Sequence, residues 1–172
     1  MNVLLWMKRD LRTEDHPALA LAATRGRVLP VYVAEPEYWR LPDTSGRQWA
    51  FVASSLAALR DDFAQRGLPL VVRTGDAVEV LDRLCRTYGI SEIVSHEETG
   101  NLWTYARDRR VGAWARGRGI RWTEVPQSGV VRRLAERDPE HYLVLEARAS
   151  REEIAAQVAA RVAPLLSPAR QR

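Results

Sequence analysis

Val3-Leu-Leu-Trp-Met-Lys-Arg-Asp-Leu-Arg12, followed after Thr13-Glu-Asp-His16 by Pro17-Ala-Leu-Ala-Leu-Ala22, is the stretch whose reading decides the fold. A short, uninterrupted apolar run suits a strand covered on both faces, as in a parallel sheet. It ends abruptly on charges. Pro17 fits a first helical turn, with Asp15 or His16 before it as the cap, and Gly26 closes that helix. A strand, a charged loop and a helix in this order form the first half of a βαβ unit.

Four more strand-like runs follow: Val28 to Ala34, Leu70 to Arg73, Glu92 to Ser95 and Arg121 to Val125. Helical patterns lie between them. The first covers Gly46 to Gln65, where Ser45 and Gln48 have capping-box spacing and Trp49, Val52, Leu56, Leu59 and Phe63 make one apolar face. The second covers Ala77 to Tyr88, between Asp76 as cap and Gly89 as stop, and the third Asn101 to Arg116. The alternation predicts an α/β fold: a doubly wound, mainly parallel, five-stranded Rossmann-like sheet with right-handed crossovers. Ligands on such sheets sit at the carboxyl ends of the strands, which directs attention to the loops Lys8 to Asp15, Ala34 to Gly46 and His96 to Trp103.

The chain has 172 residues, 46% of them apolar and 28% charged, with a formal charge of +4. That is enough for one α/β domain with a proper core and a short appendage. No run of apolar residues is long enough for a membrane span, and the N-terminus reads as a strand rather than a secretory leader, so cytoplasm is the expected location. The lone Cys85 excludes an internal disulfide and falls in an apolar helical pattern, where a plain core thiol is expected. The three histidines are far apart in sequence, so no metal cluster is expected. Between Arg107 and Arg133 arginine greatly outnumbers Asp108 and Glu124. Such a strip suits phosphate contact or simply a solvated helix face; without clearly interleaved aromatics the solvated face is the reading, and DNA contact is expected to be weak or indirect.

There is no G-x-G-x-x-G after the first strand and no G-x-x-x-x-G-K-[ST] anywhere. The first loop offers Lys8, Arg9 and Arg12 where a classical dinucleotide site has glycines, so side-chain cations would have to hold any anion there. A nucleotide-binding protein of the adenine-nucleotide hydrolase type is therefore the weakest alternative.

Three blocks carry a resemblance. Trp6 to Leu21 resembles the W-x-[RK]-R-D-L-R-x-x-D-[NH]-P-A-L opening of the photolyase/cryptochrome family. Ser45 to Arg60 followed by Gly67 to Asp76, and then His96-Glu-Glu-Thr-Gly-Asn-Leu-Trp to Val111, are similar to later blocks of the same family, the last most like its bacterial cryptochrome-like branch. The resemblance implies a photolyase N-terminal antenna domain over 1–134. It implies a light-harvesting chromophore in the pocket: a pterin or folate, a lumazine, a deazaflavin or a flavin. By position, Arg9, Asp10 and Arg12 would edge that pocket, while Glu35, Glu97 and Glu98 would bond the ring. The same side chains suit plainer roles, Arg9, Asp10 and Arg12 as a surface ion-pair network and Glu97 and Glu98 as helix caps. Trp6, Trp49, Trp103 and Trp114 are read as core aromatics rather than an electron relay. Within the family, FAD and DNA-repair catalysis belong to a large helical domain, so FAD is not expected on this chain alone and no catalytic residue is assigned. A flavin-binding helical domain in trans is the implied partner, with an inactive remnant or a split deoxyribodipyrimidine photolyase as alternatives.

Residues 135–172 read as an extension with a strand at His141 to Glu146 and an amphipathic helix opened by Ser150 and Glu153, its apolar stripe being Ile154, Val158 and Val162. Asp138 to Leu166 also resembles the C-terminal strand and helix of bacterial thymidylate kinases; rearrangement and chance likeness both remain open. No kinase phosphate loop accompanies it.

Overall fold

The computed structural model describes residues 1–126 together with residues 153, 155–158 and 160, which are helical. Residues 1–127 and 128–172 separate into two units. The expected strand at His141 to Glu146, the Ser150 cap and the stripe residues Ile154 and Val162 lie outside the described residues. No described helix is long and apolar enough to cross a membrane.

The first unit is built from β1 (Asn2–Met7), α1 (Pro17–Arg25), β2 (Arg27–Ala34), a 3-10 turn (Tyr38–Arg40), α2 (Gly46–Gln65), β3 (Val71–Thr74), α3 (Ala77–Tyr88), β4 (Ile90–His96), α4 (Leu102–Gly117) and β5 (Arg121–Val125). The five strands pair in parallel in the order β3-β2-β1-β4-β5. β1 is central, and the chain switches direction on either side of it. Side chains on β1 alternate between two cores, as the pleat requires. Val3, Leu5 and Met7 pack on Ala18 and Ala22 of α1 and on Leu56, Leu59 and Phe63 of α2. Leu4 and Trp6 pack with Val80, Leu81, Leu84 and Cys85 of α3 and Val111 of α4. A strand sandwiched this way needs apolar residues at every position, which explains its unbroken run. Each fully buried Leu there contributes about 1.5–3 kcal/mol of transfer free energy.

Helix ends follow their side chains. His16 caps α1, its Nδ1 accepting from the Leu19 N–H at 3.0 Å, while Asp15 takes a positive φ of 45° just before it. Asp76 Oδ1 accepts from Val78 and Glu79 at the start of α3, and Ser45 Oγ accepts from Gln48 at the start of α2. α3 ends on Gly89 at φ 59°, a left-handed position that a side chain would strain.

Two expectations are corrected. Trp49 is 37% exposed rather than core, since it lies in the exposed first turn of α2; Leu56, Leu59 and Phe63 deeper in the helix are buried. Trp103 and Trp114 are only half-buried, so among these tryptophans Trp6 alone is fully enclosed.

Candidate functional site

A cavity of about 680 Å³ opens at the carboxyl ends of β1 and β2, roofed by α2 and flanked by α4. Its floor is the end of the central strand. Its inner end is an ion-pair network that no single segment reveals. Glu35 follows directly on β2 and is 6% exposed; Glu98 lies just past β4; Arg107, 5% exposed, comes from the buried face of α4. Arg107 Nη1 donates to Glu35 Oε2 at 2.6 Å and Nη2 donates to Glu98 Oε2. Its guanidinium lies 4.9 Å from the Trp6 ring centroid, and its Nε is 2.8 Å from Asp108 Oδ1 but outside hydrogen-bond geometry. Glu98 Oε1 pairs with Arg9 Nε at 2.9 Å, and Arg9 Nη2 donates to the Tyr38 hydroxyl at 3.0 Å.

Glu35 Oε1 is buried with no hydrogen-bond partner. Burial pushes the Glu35 carboxyl up to about 7, and the attraction of Arg107 only partly offsets it. Burial likewise raises the Tyr32 phenol to about 12. Glu35, which lines the cavity, thus carries one enclosed carboxyl oxygen without a partner, on a carboxyl that burial makes easier to protonate.

Lys8 also lines the cavity, but its charge is spoken for. Its Nζ sits 2.9 Å from Asp108 and 3.3 Å from Glu124, over the rings of Trp6 and Trp122. The outer wall is aromatic. Tyr38 and Trp39 of the 3-10 turn meet edge to face at 5.2 Å, Trp39 meets Trp49 at 5.1 Å, and Phe51 stands in the opening at 73% exposure. Asn101 Nδ2 donates to Asp43 Oδ2 at 2.8 Å, tying this loop to the start of α4.

Four of the six residues expected at a pocket come together there: Arg9, Arg12, Glu35 and Glu98 all line the cavity. The other two do not. Glu97 is exposed and outside the lining; its N–H donates to Val125 O, extending the β4–β5 pairing. Asp10 points instead into the protein, at 2% exposure. Its Oδ1 accepts from the Lys8 N–H at 2.8 Å and its Oδ2 lies 2.6 Å from His96 Nδ1 and 2.9 Å from His16 Nε2. The histidines, distant in sequence and expected to stay apart, stack at 4.5 Å because β4 ends beside the start of α1.

Asp10, His16 and His96 thus offer ligand atoms within 4.8 Å of one another. Their lone pairs are nevertheless committed. His16 Nδ1 accepts from Leu19 N–H and His96 Nε2 accepts from Ala18 N–H at 3.4 Å, so in neutral rings the protons sit on the two nitrogens that face Asp10. A cation would have to displace those protons. The cluster is better described as a carboxylate held by donors. Burial opposes ionisation of Asp10, but His16, the Lys8 amide and His96 together hold its carboxyl well below the usual range. Burial also lowers His96, partly countered by Asp10. This hub fixes the 8–15 loop, and with it the direction of Arg9 and Arg12.

Arg107 was hidden among the arginines read as a solvated face. That reading fits Arg109, Arg110, Arg116 and Arg118, which are exposed. Arg107 instead shares the buried face of α4 with Thr104, Val111 and Ala115, and that helical spacing is the signal that could have singled it out.

A family model described as DNA photolyase matches residues 3–162. The deoxyribodipyrimidine photo-lyase of Salmonella typhimurium is 35% identical over 96 residues, 52% of this chain and 20% of that protein. The chain thus spans about a fifth of that relative's length. A bacterial class III photolyase from Agrobacterium tumefaciens superposes with a TM-score of 0.65 at 28% identity, covering 73% of this chain and 25% of that one. An archaeal photolyase from Sulfolobus tokodaii, solved with two FAD molecules that imply a novel light-harvesting cofactor in that protein, gives 0.64 at 27% identity, covering 73% and 29%. With the parallel sheet and the match over most of its length, the chain belongs to the DNA photolyase family.

Proposed function

We propose that this domain holds a flat conjugated heterocycle in the cavity at the ends of β1 and β2 and serves as a light-harvesting antenna for a photolyase or cryptochrome. The observation that carries this reading is the inner end of the cavity, where Glu35 keeps an unpartnered buried oxygen beside an arginine already shared between two carboxylates. A buried polar group without a partner costs stability, and a ring N–H or amino group entering the cavity would satisfy it. The volume of about 680 Å³ suits a small cofactor, and Tyr38, Trp39 and Phe51 offer surfaces on which a ring can stack.

The residues fit such a group. Glu35 and Glu98 would face its polar edge, Arg9 and Arg107 would hold those carboxylates in place, and the aromatic wall would exclude water. A pterin, lumazine, deazaflavin or flavin would supply blue or near-ultraviolet absorption. On this reading, lesion repair belongs to a flavin-bearing helical domain, with which the antenna domain works in the same chain or in trans.

The test is an absorption and fluorescence spectrum of the purified protein, repeated after denaturation and after reconstitution with each of the four chromophore classes. A released or retained chromophore, lost in Glu35→Leu, supports the antenna reading. A spectrum with only the aromatic ultraviolet band, and no uptake of any of the four, refutes it.

A further inference from the structure

The free N–H groups at the start of α1 end on imidazole rings. Pro17 has none to offer, the Ala18 N–H donates to His96 Nε2 at 3.4 Å, and the Leu19 N–H donates to His16 Nδ1 at 3.0 Å. Both rings are enclosed, with side chains 2% and 0% exposed respectively. The other helices start on a hydroxyl, a carboxylate and an amide, from Ser45, Asp76 and Asn101. Imidazole differs from all three. Its ordinary titration lies just below neutrality, and the protonated ring has no lone pair left to accept with.

We infer that His16 and His96 form an acid-sensitive cap on α1, and that proton uptake by these rings opens the helix start and frees the 8–15 loop, whatever molecule the cavity takes. In the neutral rings the accepting nitrogens face α1 and the protonated ones face Asp10. A further proton must enter on an accepting nitrogen. There it points at a backbone N–H and sets a positive charge against the positive end of the helix dipole. Asp10 attracts that charge and offsets part of the cost, whereas the other imidazole and Arg12 oppose it at His96. The first turn of α1 adds no acidic residue, and Glu14, Asp15 and Glu97, close in sequence, are exposed. Burial lowers His96 below its ordinary 6.5, so stability from this ring is present above about that pH and is lost as pH falls. The opening reaches the cavity because the same loop carries Arg9 and Arg12, both in its lining.

The test is NMR of the full chain, without ligand, from about pH 7.5 down to about pH 5, the range in which imidazole titrates. At the upper end the ring nitrogen shifts should place the proton on Nε2 of His16 and on Nδ1 of His96, with the single variants His16→Asn and His96→Gln assigning the signals. On acidification the hydrogen-exchange protection of the Ala18 and Leu19 amides, corrected for the intrinsic rate, should fall at least about tenfold. The loss should follow proton uptake on the rings, and the Arg9 and Arg12 amide signals should move with it. Leu84 and Cys85 in α3, the helix capped by Asp76, should keep their protection. His16→Asn/His96→Gln supplies acceptors that do not titrate in this range and should abolish the loss. Opposite tautomers in the neutral protein, rings that stay neutral to the lower end, or Arg9 and Arg12 signals that do not follow the cap overturn the inference. So does protection lost equally in α1 and α3, or equally in the double variant. If the double variant does not fold, the wild-type tautomers and the contrast between α1 and α3 decide the matter alone.

Discussion

Arg107 Nη1 and Glu35 Oε2 meet at 2.6 Å across 72 residues of sequence, joining the buried face of α4 to the end of β2. Removing one partner of a buried ion pair leaves an uncompensated charge. Arg107→Ala should therefore cost about 3–5 kcal/mol, since Glu35 and Glu98 would be left facing each other. Arg107→Lys should recover only part of this, because one ammonium cannot fork between two carboxylates. Urea unfolding measures both. A loss below about 1 kcal/mol for the alanine variant would mean the network behaves as a solvated surface pair.

Asp10→Asn changes almost no volume but alters the hydrogen-bond count. The Lys8 N–H and His96 Nδ1 bond the Asp10 carboxylate, with His16 Nε2 2.9 Å away but outside hydrogen-bond geometry, and an amide presents one acceptor and one donor to them. At least one buried donor loses its acceptor, so the variant should be less stable by about 1–3 kcal/mol at neutral pH. The carboxyl is held below its ordinary value of 3.8, so its stabilisation is complete above that pH and is lost as pH falls further. The gap between wild type and variant should accordingly narrow in strong acid. A gap that is constant across the acid range would rule out Asp10 ionisation as its source.

The strands, the helices and their caps were legible because each rests on a local signal: the apolar run Val3 to Met7, the Asp76 cap, the Gly89 stop. The pocket was legible only as a place, the carboxyl ends of the strands. Its chemistry was not, because the Glu35–Arg107–Glu98 arrangement depends on three elements meeting. The same limit explains Asp10, grouped with Arg9 and Arg12 from its place in the first loop. A loop next to a strand end can turn a side chain outward to the pocket or inward to the core, and only the approach of His16 and His96 decides which. Glu97 and Glu98 illustrate the point most simply: neighbours in an extended segment face opposite ways, and one of them had to miss the cavity.

Cys85 supplies a check on the α3 core. The thiol is 5% exposed among Leu81, Leu84 and Ile90, and burial pushes it up to about 12. Since the thiolate is the reactive form, a disulfide reagent should modify folded protein far more slowly than protein in denaturant. Rapid modification of the folded chain at neutral pH would show that α3 does not pack on the sheet as described.

Glu35 makes the protein's stability depend on pH in the opposite sense to Asp10. In the unfolded chain its carboxyl ionises near the ordinary 4.5, whereas in the folded cavity it does so at about 7. Between those values the folded state keeps a proton that the unfolded state has released. Stability from this group is therefore highest below about 4.5, falls as pH rises through the window, and levels off above about 7. Glu35→Gln holds a neutral isostere at the same place and should abolish that slope, leaving wild type progressively less stable relative to the variant as pH climbs. Urea unfolding of both proteins at several pH values across the window reads the difference directly. If wild type instead gained on the variant with rising pH, the ion pair with Arg107 would outweigh burial and Glu35 would be fully ionised at neutrality. Because a ligand edge that donates to Glu35 Oε1 favours the ionised form, saturating chromophore should also flatten the wild-type slope.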